Sequence, residues 1–173
     1  MNHHPQKQYR LLAIALTSRG LGYAVLEGEK LLVENGHMSI RKEDKNKRCL
    51  AKAARLIAFY KPDALVLQDV TAKHSQRAPR IQSLHRSVVK LAGKNTIEVE
   101  LFSETQLRTL LLGDINGTKH QMAEMLAKHF PNELAPRLPP KRRLWESADS
   151  RMDIFDAAAL AVAFRLQHGA RIS

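Results

Sequence analysis

The stretch YRLLAIALTSRGLGYAVLEG, residues 9–28, decides the fold that this sequence predicts. Its two apolar halves, 9–17 and 20–28, flank a tight turn and are typical of a β-hairpin. The following segment, 30–40, continues the pattern as a third strand. The chain is therefore expected to open with an antiparallel meander of three strands.

Helical and strand patterns alternate after this meander. Residues 45–60 place apolar side chains at helical spacing, and residues 63–69 form an almost continuous apolar run, as in a parallel strand covered on both faces. A helix in the second half of 73–93 and a strand at 96–102 follow. This order predicts one α/β domain with a mixed five-stranded sheet, an antiparallel meander and then parallel strands, flanked by helices.

Three later helices have recognisable starts. SETQ (103–106) and TKHQ (118–121) both match the capping box, in which the first and fourth residues bond each other's backbone amides. A proline-led basic loop spans 138–149. SRMD (150–153) predicts a last helix that is capped by Ser150.

The size and charge of the chain limit its class. With 173 residues it suits a single domain, expected over 9–168 between a flexible N-terminus, 1–8, and a C-terminal tail, 169–173. The net charge of +11 favours nucleic acid first and an anionic membrane surface second, and an ordinary basic soluble protein also fits. Cys49 is the single cysteine, so a disulfide framework and a thiolate zinc site are excluded and a reducing cytoplasm is favoured. No stretch approaches the length of a membrane span.

Two carboxylates lead the last helix. Asp153 and Asp156 lie three residues apart and so share a helix face, directly ahead of the alanine-rich run 157–163. A structural role also fits Asp153, since a carboxylate at the third helical position stabilises a helix start. The same explanation fits Asp156 less well because that residue enters the small-residue stretch, which itself indicates close packing.

Four segments in this order resemble the RuvC-type Holliday-junction resolvases, which belong to the RNase H-like nucleases. They are LLAIALTSRGLGYAVLEG (11–28), KPDALVLQD (61–69), FSETQLRTLLLGDINGTKHQMAEML (102–126) and DIFDAAALAVAF (153–164). The resemblance implies an RNase H-like fold in which the first strand, the fourth strand and the last helix converge at one sheet edge. It also implies a homodimer that cuts four-way or otherwise branched DNA with Mg²⁺ or Mn²⁺.

The chain departs from the pattern of this family at two of four acidic positions. The resemblance assigns catalytic and metal-binding roles to Asp153 and Asp156, but it places Ala15 and Gln68 where the family has its other two acids. Two bridged divalent ions need several anionic oxygen ligands, so we expect metal binding to be weakened or lost and cleavage to be poor or absent. Asp69 is no substitute, because successive strand side chains point to opposite faces.

Basic residues and one tryptophan form the candidate nucleic-acid interface. The basic stretch 73–93 fits contact with a phosphate backbone, or else an ordinary solvated helix face. Trp145 beside basic residues suits stacking on an unpaired base, or else attachment of a loop to the core. His74 and His85 are expected to face solvent. The predicted contacts are Lys73, Arg77, Arg80, Arg86, Lys90, Lys119, Lys141, Arg142, Arg143 and Trp145.

Three functions are compatible with these features. The leading hypothesis is a RuvC-like protein that binds branched DNA and cleaves it weakly or not at all. The second is a non-catalytic module for nucleic-acid binding or assembly that kept the fold and lost the chemistry. The third is an RNA-processing nuclease of the related YqgF type.

Overall fold

A computed structural model of the protein describes residues 7–29, 31–41, 43–71 and 77–169. All five predicted strands are present, each within two residues of its expected bounds. They are β1 (Arg10–Leu16), β2 (Gly20–Glu27), β3 (Leu31–Ser39), β4 (Ala64–Gln68) and β5 (Glu98–Phe102).

The strands form one mixed sheet in the order β3-β2-β1-β4-β5. β1 is antiparallel to β2, with Ala15 opposite Gly22, and parallel to β4, with Ile14 opposite Leu67. The predicted sheet, an antiparallel meander followed by parallel strands, is therefore confirmed. Because β1 and β4 run in the same direction, Ala15 and Gln68 lie near the same edge of the sheet.

Helices cover both faces of the sheet. One face carries α1 (Lys45–Tyr60) and α2 (Pro79–Lys94), and the other carries α3 (Glu104–Leu112), α4 (Lys119–His129) and α5 (Met152–His168). A short 3₁₀ turn, Ala135–Arg137, follows α4. In the described part of the chain, no helix combines the length and the apolar character needed to cross a membrane.

Alternation along β1 separates two hydrophobic cores. Leu12 and Ile14 pack beneath α1 and α2, whereas Ala13 and Ala15 pack beneath α5. The alanine-rich run of α5 is fully buried against this second face, so its small side chains bring helix and sheet close together. At Gly22 the approach leaves no room for a side chain, because an added Cβ would overlap the carbonyl oxygen of Asp153.

Both capping boxes are confirmed, but the predicted cap of α5 is wrong. The side chains of Ser103 and Thr118 each accept the backbone N–H three residues on, and the reciprocal glutamine bonds are present. The residue before α5 is Arg151, which has helical backbone angles and no side-chain cap, and Ser150 lies one residue further out. The Asp149 carboxylate accepts the Arg151 backbone N–H at 2.9 Å, so an Asp-centred turn leads into the helix instead.

Candidate active-site corner and nucleic-acid interface

The sheet edge brings together three of the four positions at which the resemblance expects an acidic ligand. Ala15 at the end of β1, Gln68 at the end of β4 and Asp156 in the second turn of α5 all line one small pocket, called here the corner pocket. Its other lining residues are Glu104, Leu107, Lys119, Met122, Ala159 and Leu160. The expected convergence of first strand, fourth strand and last helix is therefore present.

Asp153 does not line the corner pocket but is buried beside it, with 1% of its side chain exposed. Its Oδ1 accepts a hydrogen bond from Arg19 Nη2 at 2.8 Å, and its Oδ2 accepts one from Thr17 Oγ1 at 3.1 Å. Both oxygens thus bind the turn between β1 and β2. Arg19 also donates to the carbonyl of Ala148 at 2.7 Å, which ties the same turn to the end of the basic loop.

Asp156 is paired with a cation from another helix. Lys119, the first residue of α4, places its Nζ 3.3 Å from Asp156 Oδ2. The exposed fraction of the Asp156 side chain is 23%, but the protein atoms packed around the carboxyl group exclude water from it and so raise its pKa. The ammonium group of Lys119 counteracts part of that rise. The negative charge of Asp153 raises the same pKa further.

Gln68 also has a basic partner. Its Oε1 accepts a hydrogen bond from Arg77 Nη2 at 2.6 Å, just ahead of α2. This bond uses one of the two lone pairs of the amide oxygen, and Ala15 has no side-chain oxygen to contribute. Each of the three polar side chains at the four positions therefore contacts one basic residue. Asp153 contacts Arg19, Gln68 contacts Arg77, and Asp156 contacts Lys119.

The corner as it stands does not fit a two-metal centre. Two bridged divalent ions require several anionic oxygens from separate elements. In the parts of the chain that the structure describes, no cluster of three or more His, Cys, Asp or Glu side chains is placed to hold a metal ion. Asp153 and Asp156 are already neutralised by Arg19 and Lys119, and Glu104, the other acid that lines the corner pocket, pairs with Arg108 on its own helix, so a metal would compete with all three cations.

Asp69 lies on the far side of β4 from the corner pocket. Its carboxylate accepts hydrogen bonds from the backbone and hydroxyl of Thr71, at 2.8 and 2.7 Å, and its charge acts on His85. The side-chain alternation of a strand thus keeps this acid away from Ala15 and Asp156.

His85 is buried, so the expectation that it faces solvent is wrong. It lies on the inner side of α2, one turn after Ile81 and next to Leu84, and is 5% exposed. It bonds the backbone of Gln68, while its Nε2 is buried without a hydrogen-bond partner among the described residues. Burial lowers the pKa of His85. His74 lies outside the described residues.

The basic loop before α5 is exposed over residues 140–148. Lys141, Arg142 and Arg143 are all accessible, and Trp145 is 77% exposed. The guanidinium carbon of Arg143 lies 5.8 Å from the centre of the Trp145 ring. A tryptophan this exposed does not attach the loop to the core, and stacking on an unpaired base stays a prediction.

The other predicted contacts divide into two groups. Arg86 and Lys90 are exposed on the outer side of α2, as a phosphate contact requires. Arg80 is half-buried and bonds Asn46 and the backbone carbonyls of residues 17 and 18. Arg80 therefore forms hydrogen bonds within the protein, as Arg77 does with Gln68 and Lys119 does with Asp156. Lys73 lies outside the described residues.

Arg19 and Thr17 are the site residues that the sequence did not reveal. No local pattern marks them, because the Arg19–Asp153 contact joins residues that are 134 positions apart. The only signal in the sequence is an arginine in a turn of a hairpin.

Comparison with solved structures finds the same fold in other proteins. The Thermus thermophilus RuvC structure matches with a TM-score of 0.70 and 14% identity, over 94% of this chain and 97% of that one. The fold is that of the RuvC-type resolvases. The expected RNase H-like fold is thereby confirmed.

Two further structures share this RuvC-type fold. T. thermophilus RuvC in complex with Holliday junction substrate has a TM-score of 0.69 at 15% identity, and covers 95% of this chain and 97% of its own. The yeast mitochondrial Holliday junction resolvase Ydc2 has a TM-score of 0.60 at 14% identity, over 93% and 81%. No family model and no curated relative matches the chain.

Proposed function

We propose that this protein is a RuvC-like nucleic-acid-binding protein that recognises four-way or otherwise branched DNA and cleaves it weakly or not at all. The observation that carries the proposal is the exposed pair of Arg143 and Trp145, presented on a loop that leads directly into α5. Arg19 anchors the end of this loop to the turn between β1 and β2. The loop that carries the aromatic ring is therefore anchored to the same turn that bonds Asp153.

Charge and fold support the same ligand. Lys141, Arg142 and Arg143 form an exposed basic group, and basic side chains supply most of the affinity for a phosphate backbone. An exposed aromatic ring stacks on bases that are unpaired, as bases at a branch point are. A structure with the same fold has been solved in complex with Holliday junction substrate.

Weak or absent cleavage follows from the composition of the corner. By resemblance, the reaction is a phosphodiester hydrolysis that requires Mg²⁺ or Mn²⁺. Ala15 and Gln68 supply no carboxylate, while Asp153 and Asp156 are neutralised by Arg19 and Lys119. The ligands of a two-metal mechanism are therefore missing at two positions and occupied at the others.

Gel-shift titration of a four-way DNA junction, a linear DNA duplex and an RNA duplex tests the binding proposal. We expect the junction to bind most tightly. Trp145→Ala should weaken junction binding on the order of ten- to one-hundred-fold, which is the effect of losing one stacked base. Leu144→Ala, which removes the 96% exposed neighbour, is the matched control and should leave affinity unchanged. Equal affinity for junction and linear DNA would refute the proposal, and a preference for RNA would favour the YqgF-type alternative.

A non-catalytic module is the second candidate, because Asp153, Gln68 and Asp156 each already have a protein partner. Such a module binds the junction and remains inactive even when carboxylates are restored at positions 15 and 68. The cleavage experiment on the restored variant, described in the Discussion, separates the two candidates.

We further propose a homodimer, as the resemblance implies. A four-way junction presents two symmetric strands, and two copies of the corner would face one strand each. Light scattering coupled to gel filtration should give twice the monomer mass of 19.5 kDa, and a monomer in the presence of bound junction would refute it.

A further inference from the structure

The two helices on the face of the sheet opposite the corner pocket, α1 and α2, carry many basic residues. α1 and α2 together contain nine lysines and arginines and neither an aspartate nor a glutamate. The net charge of the whole chain is +11, so these two helices account for nearly all of it. The nine are Lys45, Lys47, Arg48, Lys52, Arg55, Arg80, Arg86, Lys90 and Lys94.

Six of these side chains are exposed and have no ion-pair partner among the described residues. They form what we call the basic helix face: Lys47, Arg48, Arg55, Arg86, Lys90 and Lys94. On α2, Arg86, Lys90 and Lys94 follow at spacings of four, which places them in one row. α1 and α2 pack side by side, joined at their start by the bond between Arg80 and Asn46, so the two helices present one surface.

This pattern differs from that of an ordinary solvated helix. α3 and α4 pair basic residues with acids one turn away, as in Arg108–Glu104 and His120–Glu124. In contrast, the row on α2 places like charges one turn apart, which destabilises a helix unless an anion screens them. The first turn of α2 also contains no acidic residue, so nothing within it offsets the positive end of the helix dipole.

We propose that the basic helix face binds the phosphate backbone of duplex DNA, as a second contact surface on the opposite side of the sheet from the corner pocket. This inference rests on the proposed function, which it extends to a second segment of the same ligand. Each helix has 16 residues and is thus roughly 24 Å long, a span over which duplex DNA carries one negative charge per about 1.7 Å.

The two surfaces are connected at one end. Lys45 donates to the backbone carbonyl of Ser18, and Arg80 donates to those of Thr17 and Ser18, so both helices begin at the turn between β1 and β2. Thr17 in the same turn bonds Asp153 at the corner. A DNA arm that leaves the corner can therefore pass over this turn and continue along the basic helix face.

The salt dependence of binding tests this surface directly. The affinity for a linear duplex and for a four-way junction is measured by fluorescence anisotropy at several salt concentrations. The plot of log K against log salt has a negative slope, and each lost phosphate contact makes that slope less steep by about 0.9. Lys47→Gln with Arg55→Gln removes two contacts on α1, and we expect the slope to become less steep by roughly 1.8 on both ligands. Lys128→Gln with Arg137→Gln removes two exposed charges elsewhere and should leave the slope unchanged.

The outcomes separate this inference from the proposed function. If the α1 variant and its control both retain the wild-type slope while the junction is still preferred, the basic helix face does not bind DNA and only the inference fails. If the α1 variant binds vesicles of anionic phospholipid less well but duplex DNA equally well, the inference is likewise overturned, in favour of a membrane surface. Equal melting temperatures of both variants establish that the changes are local.

Discussion

Arg19 Nη2 lies 2.8 Å from Asp153 Oδ1 and joins the turn between β1 and β2 to the first turn of α5. An acid that resembles a metal ligand by sequence is thus a structural ion pair in the folded protein. The carboxylate is almost completely buried, and Thr17 completes its hydrogen bonding. The neighbouring acid, Asp156, is paired in a similar way with Lys119.

Asp153→Asn should destabilise the protein. The substitution leaves Arg19 without its charged partner, and breaking a buried pair costs about 3–5 kcal/mol. Because 33% of the Arg19 side chain is exposed and solvent screens the charge, we expect about 1–3 kcal/mol in urea denaturation. Asp149→Asn breaks the exposed pair with Arg151 and is the control, with an expected loss of no more than about 1 kcal/mol. Equal losses in both variants would show that Asp153 is not a structural anchor.

The double variant Ala15→Asp, Gln68→Glu should acquire divalent-metal binding. It adds two carboxylates to the corner pocket beside Asp156, so without metal the like charges should lower the melting temperature, and Mn²⁺ should restore it. Mn²⁺ binding is measured by electron paramagnetic resonance, and cleavage is assayed on a four-way junction.

The control for this experiment is Ala15→Asn with Gln68 retained, which adds bulk at the same position without charge. If only the double variant binds metal and cuts, the corner is a nuclease site that has lost its ligands. If the natural chain cuts equally well, another acid takes part and the site assignment is wrong. If the natural chain and the double variant both bind the junction but do not cut it, the non-catalytic module becomes the better description.

Gly22→Ala should be strongly destabilising. The added methyl group would overlap backbone atoms of Asp153, which cannot move aside as the end of a flexible side chain can, and overpacking of this kind costs about 1–3 kcal/mol or more. Gly93→Ala in α2 meets no atom within 4 Å and should stabilise the protein by roughly 0.5–1 kcal/mol, since alanine is the better helix former. Thermal unfolding of the two variants compares them, and a tolerated Gly22→Ala would contradict the close contact of α5 with β2.

Stability should fall in mild acid because of His85. Its pKa in the folded protein is lowered by burial, so the unfolded chain binds the proton more readily. The free energy of unfolding is therefore unaffected well above the ordinary histidine pKa of about 6.5 and decreases as the pH falls below it.

The contribution of His85 is isolated by comparing two variants. Urea denaturation at about pH 7.5 and about pH 5 should show a smaller loss of stability for His85→Leu than for the natural chain. His37→Gln, a change at an exposed histidine of β3, should retain the natural pH dependence. An identical acid loss in His85→Leu would assign the effect to other groups.

The elements of the fold were predictable because their signals are local. Strands 9–17 and 20–28 alternate or run apolar over a few residues, and the capping boxes at Ser103 and Thr118 depend on a partner three positions away. The N-terminus of α5 was misplaced because SRMD also matches the capping pattern, whereas Asp149 outside that pattern forms the actual turn.

The sequence by itself determined the order of strands and helices, the excess of positive charge and the absence of carboxylates at Ala15 and Gln68. Only the tertiary structure decided what the remaining acids do. Hydrophobic periodicity acts between near neighbours along the chain, but the partners of Asp153 and Asp156 are Arg19 and Lys119, 134 and 37 positions away. Burial of the apolar faces brings these side chains together, and a buried carboxylate then requires a partner of opposite charge.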